Sequence, residues 1–141
     1  SRHLSEPMPD VIIAIDPGRD KCGLAVVRAD GHVLAQAVVP AQDVAEAVAG
    51  RLRAHRAAAL VIGNRTGAEE VSAAIAVRSS LRPVFVDEHH STLEGRRRYF
   101  RENPPRGWRR LLPLGLQTPP RAYDDYVAVI LAERYLASLR G

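Results

Sequence analysis

Apolar positions recur along this chain with two different periods. Val11 to Asp16 is a short β-branched run ending in Asp-Pro-Gly, which predicts a buried strand stopped by a turn. Cys22 to Arg28 and His32 to Val39 are two more strand-like runs. Asp30-Gly31 between them is a hairpin signal, so the opening reads as an antiparallel meander. From about Asp43 to His55 the period lengthens, with Val44, Val48 and Leu52 four apart. That predicts a helix opened by a capping box at Asp43 and Glu46, with Arg51, Arg53 and Arg56 suiting its C-terminal dipole. Leu60 to Gly63 predicts a short buried strand. Thr66 and Glu69 read as the cap of a helix that gathers Val71, Ala74 and Ile75 on one face. Pro83 to Asp87 predicts the last strand, and Ser91 and Glu94 cap a helix reaching about Glu102. A final helix spans about Ala122 to Leu139. The proline-rich connection before it, Asn103 to Arg121, is long for a structureless loop and has the character of a functional one.

After the meander, strands alternate with helices, so the later crossovers are expected to be parallel and right-handed. The expected fold is α/β, a mixed five-stranded sheet whose first three strands are antiparallel, with helices on both faces.

A length of 141 residues suits one domain with a proper core, and 46% apolar content fits a globular chain. Ser1 to Pro7 read as a tail left over from expression, ahead of a single domain from Met8 to Gly141. No apolar run approaches the roughly 18 residues a membrane span needs, so no membrane partner is expected. Cys22 is the only cysteine, which excludes an internal disulfide and fits a reducing cytoplasm. The net charge is +4 and Lys21 is the only lysine, so the cations are nearly all arginine. Arginine binds phosphate bidentately and stacks on bases, which fits a nucleic-acid partner; an alanine- and arginine-rich coding bias gives the same composition.

The acids carry more information. Asp16 ends the first strand, Asp87-Glu88 ends the last, and Asp124-Asp125 sits in the first turn of the final helix. Each has a reading without chemistry: a turn residue, a solvated loop, a charge favouring a helix N-terminus. All three stand where an α/β sheet ends. Carboxylates gathered there repel one another unless cations lie between them, and hard oxygen ligands suit Mg²⁺ or Mn²⁺. Two such ions about 4 Å apart can activate water and stabilise the leaving oxygen of a phosphodiester. On a helix Asp124 and Asp125 point about 100° apart, and both rows below them are apolar. Helix geometry alone does not choose between them.

The segments DPGRDKCGLAVV, VIGNRTG, VDEHHST and YDDYVAVILAERYL, in that order, resemble the YqgF family, the RuvC-like members of the RNase H superfamily. The resemblance covers nearly the whole chain from Met8. It implies an RNase H-like three-layer α/β/α fold and a metal-dependent nuclease acting on branched DNA such as Holliday junctions or on ribosomal RNA precursor ends. It implies Asp16, Glu88 and Asp124 as the metal-binding acids, with Asp125 an additional acid beside them. The chain departs from the commoner pattern at Asp20-Lys21, at Asn64-Arg65 and at Asp125.

Candidate contacts to nucleic acid surround these motifs. Lys21 lies in the first turn, with Gly18 and Gly23 on either side of it, and Arg65 leaves the fourth strand at the same sheet end. Arg97, Arg98, Arg101, Arg109 and Arg110 cluster with Trp108, a mixture that suits backbone tracking and base stacking. His89 and His90 follow Glu88 and read as surface residues. Two other classes compete with a nuclease. A non-catalytic binder of nucleic acid would gain by losing the acids. A phosphate-binding ATPase or kinase half would need a second domain. RNA against DNA, and monomer against homodimer, stay open at the level of sequence.

Overall fold

The computed structural model describes residues 10–65, 67–104 and 124–140. Residues 1–9, with the N-terminal tail expected at Ser1 to Pro7, Thr66, residues 105–123 of the proline-rich connection and Gly141 lie outside the described residues. The described residues form five strands: β1 (Val11–Asp16), β2 (Lys21–Arg28), β3 (Val33–Pro40), β4 (Ala57–Gly63) and β5 (Pro83–Val86). Four helices accompany them: α1 (Val44–Ala54), α2 (Ala68–Ala76), α3 (Ser91–Glu102) and α4 (Asp124–Arg140). The spatial order is β3-β2-β1-β4-β5. β1–β2 and β2–β3 are antiparallel, while β1–β4 and β4–β5 are parallel. This is the mixed sheet the pattern predicts.

β1 lies at the centre and is buried along its whole length. Its residues alternate between two cores, which is why it reads as an unbroken apolar run. Val11, Ile13 and Ile15 join Val44 and Val48 of α1 and Val71 and Ile75 of α2. Ile12 and Ala14 join Ala25, Ala59 and the α4 residues Ala128, Val129, Leu131 and Ala132. Small side chains on this second face let α4 settle close to the sheet. α3 packs chiefly on α4, forming an outer layer with it. Tyr99 of α3 meets Phe100 and Tyr126 edge to face at 5.3 and 5.6 Å, a favourable aromatic geometry. α4 is apolar on both rows because it is covered by the sheet below and by α3 above.

The helix starts differ from the expected caps. Asp43 stands at the N-cap of α1 but makes no side-chain cap bond, because a 3-10 turn at Ala41–Asp43 leads directly into the helix. α2 follows Gly67, whose φ is +97°, and α3 follows His90, whose φ is +63°. Ser91 is thus the first helical residue rather than the cap. In both places a turn joins strand to helix: the Ala68 N–H donates to the Arg65 carbonyl and the Ser91 N–H to the Glu88 carbonyl. The positive-φ residue that closes each turn sets the helix start, and neither Gly67 nor His90 makes a side-chain cap bond.

Gly95 marks the tightest contact between α3 and α4. A Cβ there would lie 2.6 Å from Val127 Cγ2 and 3.1 Å from its backbone nitrogen. Helix propensity alone favours alanine over glycine by about 1 kcal/mol. Overpacking costs about 1–3 kcal/mol and opposes it. Gly95→Ala is therefore expected to lower the urea midpoint. A raised midpoint would show that the helix pair can spread without loss.

Candidate active site

The alternation that buries β1 also aims its last residue. Positions 12 and 14 face α4, and Asp16 continues that row at the carboxyl end of the strand. Gly23 of β2 is its antiparallel partner. A Cβ on Gly23 would come within 1.9 Å of the Asp124 carbonyl oxygen, so the first turn of α4 rests directly on this glycine. Sequence spacing suggests Gly23 as a turn residue; it lies inside β2, and close backbone approach is what requires it there. Asp124 is brought near Asp16 in consequence.

Glu88 reaches the same place from the other side. It follows β5 by two residues, and its side chain folds back over Gly63 at the end of β4. A Cβ on Gly63 would lie 2.3 Å from the Glu88 Cδ, so the absence of that carbon makes room for the carboxylate. Asp87 turns away, accepting a hydrogen bond from the His89 N–H at 3.0 Å. Arg134 of α4 fastens this loop. Its guanidinium donates to the carbonyls of Asp87 at 2.7 Å and His89 at 2.6 Å, and pairs with Glu94 at 3.0 Å.

Asp16 is only 2% exposed, and the Glu88 side chain 6%. Arg65 bridges them. Its Nη1 donates to Asp16 Oδ1 at 3.3 Å, its Nε lies 3.2 Å from Glu88 Oε2, and its Nη2 donates to Thr92 Oγ1 at 3.3 Å. The contact to Glu88 is an ion pair without hydrogen-bond alignment, so both Glu88 carboxylate oxygens are buried with no N–H donor. Burial raises the pKa of Asp16 far above the ordinary carboxylate range. A proton shared with Glu88 and the negative charges of Glu88 and Asp124 push the same way, while Arg65 pulls against them. Asp124 is raised too, first by burial and then by Asp125, against the charges of Lys21 and Arg65.

The two adjacent helix acids part company. Asp125 is buried, and its Oδ2 accepts from Gln36 Nε2 of β3 at 2.9 Å. Its Oδ1 accepts from the Tyr126 N–H at 3.0 Å. Asp124 is half-buried, and its charge reaches Asp16. Lys21 is exposed at the start of β2 with its charge on Asp124. Arg97 and Arg101 are exposed on α3. Arg98 is paired with Glu102 at 2.8 Å and Glu133 at 3.0 Å. Arg65 likewise faces the acids rather than standing clear for phosphate. Trp108, Arg109 and Arg110 lie outside the described residues. His89 and His90 are exposed, with ring centroids 3.8 Å apart.

Asp16, Glu88 and Asp124 thus share one end of the sheet. Among the described residues, however, no three histidine, cysteine or acidic side chains are drawn tightly enough together to hold one metal ion. The bridging Arg65 stands against two of the three acids. The donor set still fits a hard divalent cation: the oxygens are carboxylate, buried in Asp16 and Glu88, and in Glu88 without N–H donors. Gln36, Gly63 and Arg134 escape sequence reasoning. Only Gly63, a glycine ending an apolar strand, carries any local signal.

The fold is shared with known structures. RuvC of Thermus thermophilus in complex with a Holliday junction substrate superposes with a TM-score of 0.60 at 17% identity, covering 94% of this chain and 96% of that one. A second Thermus thermophilus RuvC structure gives 0.59 and 17%, covering 93% and 96%. No family model matches the chain, and no curated protein does. The chain therefore has the RNase H-like fold of RuvC. No described helix is long and apolar enough to cross a membrane.

The raised pKa of Asp16 gives a pH prediction. A carboxyl whose folded pKa exceeds its unfolded value of about 3.9 binds its proton more tightly when folded. Its stabilising contribution is complete below that unfolded value and is lost as pH rises through the raised folded pKa. With the Asp16 carboxyl pushed up to about 9, metal-free protein is therefore expected to lose stability as pH rises from about 4 to about 9, and Asp16→Asn to flatten the decline. Thermal melts in chelator across that window check this. Parallel curves for the two proteins would mean that Asp16 is not the group responsible.

Proposed function

We propose that this chain is a divalent-metal-dependent nuclease that hydrolyses phosphodiester bonds of structured nucleic acid. The observation that carries the reading is the Glu88 carboxylate, buried beside Asp16 with no N–H donor on either oxygen. Such a pair is costly unless a cation comes to it. Asp16, Glu88 and Asp124 are the residues that would hold Mg²⁺ or Mn²⁺. Ions bound there supply Lewis-acid polarisation of a phosphate and activation of water.

The rest of the chain serves that chemistry. Gly23 and Gly63 admit Asp124 and Glu88 to the site, and Arg134 holds the Glu88 loop against α4. Lys21, Arg97 and Arg101 present exposed cations to a phosphate backbone. The three acids argue against a pure binder, since each weakens the attraction for phosphate. The RuvC fold makes a four-way DNA junction the first substrate to try. The resemblance of the motifs to the YqgF family makes a ribosomal RNA precursor the second. Symmetric cleavage of a junction would call for a two-fold dimer.

The decisive assay offers four-way DNA junction, duplex DNA and precursor ribosomal RNA, each with Mg²⁺, Mn²⁺ or chelator. Wild-type cleavage is expected only with metal. Asp16→Asn and Asp124→Asn are expected to lower the rate by about a hundredfold or more while binding persists, since each removes a charged ligand without changing shape. Asp125→Asn is expected to keep part of the activity, because that side chain is spent on Gln36. Full activity in Asp124→Asn with loss in Asp125→Asn would reverse the assignment. Cleavage in chelator would sink the metal reading.

Binding gives an independent check. Replacing Arg97 and Arg101 together with alanine is expected to reduce the slope of log affinity against log salt by about two units, one for each phosphate contact. An unchanged slope would remove α3 from the nucleic-acid surface.

A further inference from the structure

Arg65 stands in a position that neither phosphate binding nor folding alone explains. Its guanidinium touches Asp16, Glu88 and Thr92 at 3.2–3.3 Å, long distances for charge-assisted bonds. It neutralises part of the acid pair but leaves both Glu88 oxygens without an N–H donor. Its side chain is 42% exposed, whereas the two acids it bridges are almost wholly buried. A group meant to hold a buried ion pair permanently would be buried and bonded through its full fork of donors.

There is also somewhere for it to go. Arg65 lines two open cavities on either side of the start of α2. One, of about 730 Å³, is bounded by Asn64, Ala68 and Phe85. The other, of about 690 Å³, is bounded by Pro17, Gly18 and Arg19. The side chain can leave the acids and remain in solvent-filled space.

We infer that the Arg65 guanidinium is the resident counter-ion of the Asp16–Glu88 pair, and that a divalent cation enters the site by displacing it. This rests on the metal-dependent reading above. Without metal, the arginine offsets two carboxylates that repel one another. When metal arrives, the same space takes the ion, and the released guanidinium turns into the adjoining cavities, where it faces an incoming phosphate. Arg65 is thus a competitor for metal and a positioning residue of the empty site. Its competition keeps metal affinity below what the bare acids would give.

The test compares wild type with Arg65→Gln, which removes the charge and keeps a polar side chain. Mn²⁺ binding by titration calorimetry is expected to tighten by roughly tenfold or more in the variant. In chelator, the variant is expected to melt at lower temperature than wild type, and the stabilisation produced by Mn²⁺ is expected to be larger. Equal or weaker Mn²⁺ affinity in the variant, with wild type binding normally, would overturn the inference and leave the metal reading intact. Absence of Mn²⁺ binding by both proteins would overturn both. A measurement on wild type alone covers a variant that fails to fold. The Arg65 Nε–H signal in ¹⁵N-resolved NMR is expected to shift and exchange faster with water on adding Mg²⁺. A signal that stays put while Mg²⁺ binds would equally overturn it.

Discussion

Two carboxylates placed side by side out of water repel each other strongly, and most of this structure is arranged around that repulsion. Asp16 has no freedom to escape it. The residue terminates a strand paired on both sides and covered on both faces, so its carboxylate is fixed by the core itself. Glu88 comes from a loop and is directed inward over a glycine. The positive charge they require is supplied, incompletely, by the Arg65 side chain. The cost of burying the pair is borne by the core that fixes Asp16 and by the loop that turns Glu88 inward.

The helix α4 is what turns a pair of acids into a larger cluster. It can lie close because the facing sheet surface includes Ala14, Ala25, Ala59 and Gly23 beside Ile12, Val27 and Val61. Larger residues there would lift the helix and carry Asp124 away from Asp16. The same helix reaches the other acid indirectly, through Arg134 and the carbonyls on either side of Glu88. Packing in the core and charge in the site are thus the same problem, solved by small residues at a few positions.

Much of this was legible from the sequence. The central strand, the hairpin at Asp30-Gly31, the strand–helix alternation and the sheet they make follow from period and turn chemistry, which are local. Asp16 and Glu88 were also legible as candidates, since their motifs mark the ends of strands. The helix caps were not. The Ser91–Glu94 pair has the spacing of a capping box, but a strand-to-helix turn with a positive φ at His90 sets that start. The split between Asp124 and Asp125 depends on Gln36, a residue of β3 with nothing in its surroundings to mark it. Arg134 reads as one more exposed helix cation, because its partners are main-chain carbonyls more than forty residues away. Arg98 and Arg65 have the composition of phosphate contacts, and only the fold reveals the glutamates and the aspartate that hold them. Long-range pairing of polar groups leaves no periodic trace.

Asp124 and Arg134 stand ten positions apart on one unbroken helix, a separation of about 15 Å along its axis. That stretch of α4 therefore acts as a ruler between the two sides of the site. Substitutions along it can be absorbed by local repacking, but a change in its length cannot. One residue more or fewer would turn one end by about 100° against the other, and either the acid or the clamp on the Glu88 loop would swing off its partner. The spacing between these two residues is under tighter geometric control than the identity of most residues between them.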